Sequence, residues 1–535
     1  MGKPALLAFV IALALGSTRC ETSVSDAPVS FGVPEITATP FDLNHRQSET
    51  AIVSSSAGFF PFVVVAYNDG SVAFNNPTAD YSTQTYHRGW SQLGWSTTAT
   101  SGVTWDYRGQ VPPMLANAFS TNGGWSALIG DPAAAVDRKS TNHVYISNLG
   151  VSDATWNAVS AGTDTIVFGS AGLQYLGHTV RSPIDLADSL CVAQSNDGGI
   201  SFSALGCLVL GSAAQVDRTA LAVDGKGFVW VATISVPAAN LANFGHFRLF
   251  RSTAPASVSA FVEVGLPVAN VYDPVLKNDA EGNIWLGGQG VGAVGANDGS
   301  VWIQEFDTTK NVWRVSRDVA KLCGKTVDRD VNPFFGDFST LRNAHPYDFD
   351  IGLDETVLTT KGLEVVRVAF EQTDDNDPTR HLVQVAQYDL GLSSCSTSAT
   401  TGPSSDSTTW IEVGTQFMPS LNFANRGGEP YWSLAYLTTA NVKDPKDQYI
   451  YPASERITKV PQSSNPRMVS FTALAPPDWY ACTDSAGYWG DYFGSTQIRD
   501  GQGFWWNVSA FTSSRPAPPC TGGGGSPQHV VASRW

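Results

Sequence analysis

The feature that most constrains the fold of this chain is a repeated pair of short strands. In each copy a polar residue, usually acidic, opens an apolar strand, a turn follows, and a second strand rich in β-branched and aromatic residues comes next. The intervals between copies run from 56 residues (Asp217 to Asp273) to 86 residues (Asp131 to Asp217), and each suits one four-stranded antiparallel sheet with its loops. The seven starts are Glu49, Asp131, Asp217, Asp273, His345, Glu429 and Asp491.

A single sheet of this kind cannot bury both of its faces, whereas sheets arranged around an axis bury them against each other. The sequence therefore predicts an all-β fold, a β-propeller of seven blades built from four-stranded antiparallel sheets. Six or eight blades are the alternatives, because the copies at His345 and Glu429 are degenerate. We expect one propeller over residues 45–535, preceded by a lead-in at 17–44 and closed by a last strand at 529–535.

The N-terminus has the features of a targeting segment. Lys3 precedes an apolar run of about 11 residues, too short to span a bilayer, and Gly16 ends a stretch of small residues that a signal peptidase reads. We therefore expect a signal peptide at 1–16 and a secreted, extracellular protein. The alternative is a periplasmic or outer-surface lipoprotein acylated at Cys20, although Arg19 departs from the small residue of that motif.

Cysteine usage agrees with export. Six cysteines follow Cys20, and an even number in an exported chain suggests three disulfides. We expect consecutive pairing, because each bond would then close one local excursion of the chain. A zinc site is the weaker interpretation, since no Cys or His residues have metal-ligand spacing. The expected pairs are Cys191 with Cys207, Cys323 with Cys395, and Cys482 with Cys520.

One short motif resembles a known family. Its residues are Ser195, Asp197, Gly199, Ser201 and Phe202, and they resemble the Asp-box of the sialidase-like BNR-repeat propellers. The resemblance implies a turn between the third and fourth strands of a blade, on the face opposite the usual active site. Its role there is structural, because the Asp accepts backbone N–H bonds across the turn and Gly adopts positive φ. Decayed copies stand at 98–105, 251–253 and 307–313.

The residues that open the repeats are the candidate ligand site. In the predicted register they begin the innermost strands and surround the mouth of the central channel. A ring of carboxylates there could hold a cation such as Ca²⁺ or accept hydrogen bonds from sugar hydroxyls. Alternatively, each carboxylate caps a backbone amide in a turn, as Asp-Pro at 131 and 273 favours. The candidates are Glu49, Asp131, Asp217, Arg218, Asp273, His345, Glu429 and Asp491.

Charge and motifs narrow the function. The net charge of −16 argues against a nucleic-acid partner, which needs clustered Lys and Arg. Sialidases clamp their substrate with three arginines, but this chain lacks the Arg-Ile-Pro that carries the first, and its catalytic residues stay unknown. We expect a non-catalytic propeller that binds a glycan or other extracellular polymer at the channel mouth. The alternatives are a glycoside hydrolase using channel-face carboxylates and an adhesion or scaffold protein.

Overall fold

In the computed structural model, the described residues are 25–28, 47–55, 62–69, 83–100, 104–111, 117–120, 124–140, 142–169, 171–180, 183–210, 214–237, 246–269, 271–291, 297–324, 349–353, 365–374, 377–389, 394–399, 413–426, 429–440, 450–458, 467–473, 494–499, 505–514 and 528–534. Strands dominate this part of the chain. The strands are β1 (Ser25–Pro28), β2 (Gln47–Ser55), β3 (Phe62–Asp69), β4 (Thr83–His87), β5 (Trp90–Ser91), β6 (Leu93–Thr98), β7 (Asp106–Gln110), β8 (Asn117–Ser120), β9 (Trp125–Val136), β10 (Val144–Ser152), β11 (Thr165–Gly169), β12 (Leu173–Tyr175), β13 (His178–Val180), β14 (Ser189–Ser195), β15 (Ala204–Val209), β16 (Ala214–Val223), β17 (Val229–Pro237), β18 (His246–Ser252), β19 (Phe261–Val264), β20 (Val271–Asn278), β21 (Ile284–Val291), β22 (Asn297–Asp307), β23 (Val312–Asp318), β24 (Phe349–Leu353), β25 (Val365–Asp374), β26 (Asp377–Asp389), β27 (Ser394–Ala399), β28 (Val413–Arg426), β29 (Glu429–Ala440), β30 (Ile450–Thr458), β31 (Arg467–Ala473), β32 (Gly494–Arg499), β33 (Trp505–Ser514) and β34 (Gln528–Arg534). The described helices are α1 (Asp153–Ser160), α2 (Val319–Leu322) and a 3-10 turn (Pro183–Leu186).

Seven of the sheets have four or more strands, and we number them in chain order. Sheet 1 is β2-β3-β6-β7, sheet 2 is β5-β9-β10-β14-β15-β8, sheet 3 is β16 to β19, sheet 4 is β20 to β23, sheet 5 is β24 to β27, sheet 6 is β28 to β31, and sheet 7 is β32-β33-β34-β1. Two further pairs, β4 with β11 and β12 with β13, form two-stranded sheets. The fold is an all-β propeller, as the repeats predict.

The core consists of apolar layers between successive sheets. Strands that lie between two such layers are therefore nearly continuous runs of apolar residues. Val63 to Tyr67 of β3 are all fully buried, because neighbouring sheets cover both faces of an inner strand. Strands at the outer edge, such as β7 and β23, alternate between exposed and partly buried residues instead. Each layer is one apolar cluster with members from two neighbouring sheets: Val64 and Ile146, Val192 and Val231, Trp230 and Phe306, Trp285 and Phe349, Val385 and Leu434.

Five blades have the regular form, four antiparallel strands that follow chain order from the centre outward: sheets 1, 3, 4, 5 and 6. The predicted number of seven blades is therefore not confirmed. Sheet 2 carries two extra strands, and sheet 7 combines both ends of the chain. Its β34 matches the predicted closing strand at 529–535, while β1 comes from the segment 17–44, which we expected only to lead into the propeller.

Two of the expected disulfides are present. Cys191–Cys207 joins the neighbouring strands β14 and β15, and Cys323–Cys395 joins the end of α2 to β27. The expected pair Cys482 and Cys520 lies outside the described residues, as do residues 1–16 and Cys20. Among the residues described, no helix has the length and apolar character needed to cross a membrane.

Candidate functional site

Three innermost strands carry a bulge at the same position. Asp131 of β9, Arg218 of β16 and Asp273 of β20 have φ of 56°, 51° and 53°, and each precedes the strand-ending aspartate by six residues. The pairing register with the second strand shifts at each of these places. A left-handed backbone at a residue other than glycine costs on the order of 1–3 kcal/mol and clusters at functional sites. These three residues form the candidate functional site.

The position of the bulge shows that the alignment of the repeats was wrong by one residue in sheet 3. The repeat pattern equated Asp217 with Asp131 and Asp273, whereas Arg218 is the residue at the bulge. A bulge adds one residue to a strand, and a pattern of period two does not reveal where it is added. Asp217 is half-buried beside it, and its Oδ1 accepts the Arg218 backbone N–H at 3.0 Å.

The three residues are joined to each other across neighbouring sheets. The guanidinium Nη1 of Arg218 lies 3.0 Å from Asp273 Oδ1, and the Arg218 backbone nitrogen lies 3.3 Å from Asp131 Oδ2. Asp131 in turn donates its backbone N–H to Asn68 Oδ1 of β3 at 2.8 Å. Asp131, Arg218 and Asp273 are 4%, 2% and 0% exposed. The arc from sheet 1 to sheet 4 is therefore a buried, charge-paired network.

Similar contacts continue between the innermost strands of the remaining sheets. They run from sheet 4 to 5, from 5 to 6, from 6 to 7 and from 7 to 1. Because each strand contacts the next, the inner strands form a closed wall. The bonds are Lys277 Nζ to Asp350 Oδ2 (3.1 Å), Leu421 N–H to Asp350 Oδ2 (2.7 Å), Ser420 Oγ to Ser495 Oγ (2.8 Å) and Gly494 N–H to Thr50 Oγ1 (3.4 Å).

The other predicted ring residues do not all join this wall. Glu49 lies at a register shift of β2, the first strand of sheet 1, so its backbone is on an innermost strand as predicted. The prediction for Glu429 is wrong: this residue begins β29, the second strand of sheet 6, opposite Arg426 at the hairpin. The innermost strand there is β28, whose two register shifts break the alternation that would have revealed it. His345 and Asp491 lie outside the described residues.

The described part of the wall does not assemble a cation site. No group of three or more His, Cys, Asp or Glu side chains in the described ranges is placed to hold a metal ion. Arg218 contacts both acids: its guanidinium lies against Asp273, and its backbone N–H lies against Asp131. The expected Ca²⁺ site stays a prediction for the rest of the ring.

The strand pattern missed a segment that covers the channel side of sheet 2. The short strand β5 pairs with the inner edge of β9, Trp90 opposite Ala127 and Ser91 opposite Leu128. Just before it, β4 pairs with β11, which belongs to an insertion between β10 and β14. That insertion explains why the interval from Asp131 to Asp217 is the longest in the chain.

The Asp-box-like turn lies between β14 and β15, at the end of the propeller opposite the insertion. Asp197 Oδ1 accepts the Ser201 backbone N–H at 2.9 Å, and Ser195 Oγ accepts that of Gly199 at 2.8 Å. Burial opposes ionisation of Asp197, but the bonds from Ser201 and Ser195 outweigh it and hold its pKa below the usual value. In sheet 1, Thr100 takes the corresponding place and accepts the Thr104 N–H at 2.8 Å. The Thr100 bond corresponds to that of Asp197, while the family assignment of the motif stays a prediction.

Asp197→Ala is expected to lower the free energy of unfolding by about 1 kcal/mol, because it leaves the Ser201 N–H without its acceptor in the turn. Urea denaturation of the full chain measures this. Asn196→Ala is the control: it removes an exposed side chain of the same turn that bonds only the Gln194 and Ser203 side chains and no backbone group, so it should cost less than Asp197→Ala. Equal effects of the two substitutions would contradict the structural role of Asp197.

Comparison with known proteins gives similarity at the level of solved structures. No family model and no curated protein matches the sequence. A Hadza microbial sialidase is 13% identical with a TM-score of 0.40, over 74% of this chain and 64% of the sialidase, so this chain spans less than two thirds of that protein. An α-L-arabinanase of Penicillium chrysogenum is 10% identical with a TM-score of 0.38, over 95% of this chain and 97% of that one. A GH93 α-L-arabinofuranosidase of Fusarium graminearum is 11% identical with a TM-score of 0.38, over 96% and 97%. The evidence for the propeller fold of this chain is the arrangement of its own sheets.

Proposed function

We propose that this chain is an exported, seven-bladed propeller over residues 45–535 that binds a glycan or other hydroxyl-rich extracellular polymer at its channel mouth, without catalysing a reaction on it. The blade number is supported by sheets 2 and 7. Each contains four antiparallel strands like the five regular blades, and the inner strands contact each other from sheet 7 back to sheet 1. The two disulfides support export, because such bonds persist in oxidising compartments.

The observation that carries the binding site is the strained triple of Asp131, Arg218 and Asp273. Backbone strain at three equivalent positions of the wall is retained only where the surroundings impose it, and such places cluster at ligand sites. The side chains of the triple are buried, so they fix the backbone of the wall, and contact with ligand hydroxyl groups falls to acceptors beside them. Asp217, half-buried beside the triple, is the acid that a ligand in the channel would reach first.

The proposal that the chain is not catalytic is supported by the contacts that the two acids of the triple make with Arg218. Hydrolysis of a glycosidic bond by two carboxyl groups needs one that carries a proton and one that acts as base or nucleophile. Asp273 is paired with the Arg218 guanidinium, and Asp131 accepts from the backbone of the same residue. Both carboxylates are buried in these contacts, an ion pair and a backbone hydrogen bond, which suits a fixed wall better than proton transfer.

A second candidate function, an adhesion or scaffold protein without a small ligand, is favoured by one observation. β5 and the residues on either side of it follow the channel edge of β9, where Gly89 donates its N–H to Ser126 O at 2.7 Å and Gln92 donates to Leu128 O at 2.8 Å. This segment occupies part of the mouth that a ligand would use.

Glycan-array binding by the purified mature chain tests the proposal. We expect binding to one class of glycan, and Asp217→Asn should weaken it at least about tenfold while the melting temperature is kept, because an amide replaces one acceptor oxygen by a donor. The control is Lys310→Ala at the opposite end of the propeller, a side chain that is 67% exposed and should leave binding unchanged. Binding by neither form would favour the scaffold candidate. Release of sugar from a bound glycan would contradict the non-catalytic proposal.

A further inference from the structure

A cluster of acidic side chains surrounds Glu305 at the end of sheet 4 opposite the channel mouth. Glu305 is on β22 and is 7% exposed. The side-chain amide nitrogen of Asn283 lies 3.2 Å from Asp279 Oδ2, 3.4 Å from Glu281 Oε2 and 3.3 Å from Glu305 Oε1. Asp279 also accepts the indole N–H of Trp285 at 3.0 Å. Glu281 is exposed to solvent, so Glu305 is the buried carboxyl that depends on this shared amide. A proton on Glu305 removes the charge that the amide does not fully satisfy.

The cationic side chains around the cluster do not neutralise its negative charge. Arg314 of β23 places Nη1 3.4 Å from Glu305 Oε1 and Nε 3.4 Å from Asp307 Oδ2, but its side chain is 43% exposed. Lys310 lies 3.7 Å from Asp307 and is more exposed still. Lys226 of the neighbouring sheet 3 directs its ammonium group to the carbonyl of Thr308. Solvent screens the exposed cations, whereas the carboxyl of Glu305 is buried.

Two carboxyl groups of the cluster therefore titrate in different ranges. Burial raises the pKa of Glu305 to about 7; Arg314 opposes this rise, and the negative charges of Asp279 and Asp307 add to it. The backbone N–H groups of Lys310 and Thr309 hold the pKa of Asp307 below its usual value. Near neutral pH, Glu305 is the member that gains or loses charge.

The cluster is connected to the seam between sheets 3 and 4. Asn283 Oδ1 accepts the Thr308 backbone N–H at 3.3 Å, and Thr308 Oγ1 donates to the carbonyl of Gly282 at 3.1 Å. The same carbonyl accepts the N–H of Gly225 from sheet 3 at 3.0 Å. A change at Glu305 is thus passed through Asn283 to the turn that holds the two sheets together.

We propose that the Glu305 cluster, formed by Asp279, Glu281, Asn283, Glu305, Asp307 and Arg314, is a pH-sensitive latch that closes the β20–β21 turn against β22 and sheet 3 when Glu305 is protonated. Loss of the proton adds a buried negative charge beside three others and weakens the latch.

The direction of the pH dependence follows from linkage. The folded chain holds the Glu305 proton more tightly than the unfolded chain, in which a glutamate has a pKa of about 4.3. Between about pH 4.3 and about pH 7 the folded form therefore binds more protons. The stabilisation is complete below the pKa of Glu305 in the unfolded chain, and it is lost as the pH rises through the pKa of about 7 in the folded chain.

Hydrogen exchange of the full chain, read by mass spectrometry and corrected for the intrinsic rate at each pH, tests the latch. In the wild type, peptides covering 279–286 and 301–318 should lose at least about tenfold in protection between about pH 5 and about pH 8. Glu305→Gln, which is neutral throughout, should keep its protection at the higher pH. The matched control is Glu263→Gln, a surface change on β19 that should leave the wild-type pH dependence intact.

Wild-type protection that does not change with pH would overturn the proposal, as would an unchanged pH dependence in Glu305→Gln. If that variant does not fold, Arg314→Gln is the second test. It removes the nearest cation that opposes protonation, so the midpoint of the loss of protection should move to higher pH. A midpoint that stays in place would equally overturn the latch.

Discussion

Replacing Arg218 by methionine is expected to lower the free energy of unfolding by about 3–5 kcal/mol. The guanidinium lies 3.0 Å from the carboxylate of Asp273, which is fully buried, so the substitution leaves an uncompensated charge inside the wall. Methionine keeps much of the apolar stem, and neither side chain favours the positive φ over the other. The lost stability therefore comes from breaking the charge pair, and urea denaturation measures the change in the free energy of unfolding.

Two further variants separate this effect from general damage. The double variant Arg218→Met with Asp273→Asn removes both charges and should recover most of the loss, because asparagine tolerates the left-handed backbone at that position. Arg248→Met breaks the partly exposed ion pair with Glu263 and should cost no more than about 1 kcal/mol. A single Arg218 variant as stable as the Arg248 variant would show that the buried pair does not hold the wall together.

Asp224→Ala is expected to cost about 3 kcal/mol, the second large effect. The side chain is buried at the turn between β16 and β17, where Oδ1 accepts the backbone N–H groups of Lys226 and Phe228 at 2.8 Å and 3.0 Å. Its Oδ2 accepts the indole N–H of Trp230 at 2.9 Å. Alanine leaves all three donors without their acceptor, and one of them, the Trp230 indole N–H, is buried.

Graded variants test this assignment by thermal and urea unfolding. Trp230→Phe removes only the indole bond and some buried surface, so its cost should be smaller than that of Asp224→Ala. Asp106→Ala, at a side chain that is 70% exposed, should change stability by less than about 0.5 kcal/mol. The same device recurs in sheet 4, where Asp279 accepts from the indole of Trp285 at 3.0 Å. Equal costs for Asp224→Ala and Asp106→Ala would contradict the buried role.

The sequence predicted the parts of this fold that depend on neighbouring residues. The strand pairs read from the repeats at Asp131, Asp217 and Asp273 correspond to β9 with β10, β16 with β17 and β20 with β21. Alternating apolar residues and turn-forming aspartates are local signals, because strand propensity and turn capping act over a few residues. The pairing of Cys191 with Cys207 is local in the same sense, since these cysteines lie on adjacent strands of one hairpin.

Only the tertiary structure decided how those parts meet. The sequence pattern did not reveal that a bulge puts Arg218 where Asp217 was expected, or that β28, and not a strand opening at Glu429, is the innermost strand of sheet 6. The pattern has a period of two residues, and one inserted residue shifts the register without changing composition. The Arg218–Asp273 ion pair, the placement of β5 along β9 and the joining of β1 to β34 each bring together segments distant in the chain. Such contacts depend on packing between sheets, and for that reason an expected open ring of acids is, in its described arc, a buried and charge-paired wall.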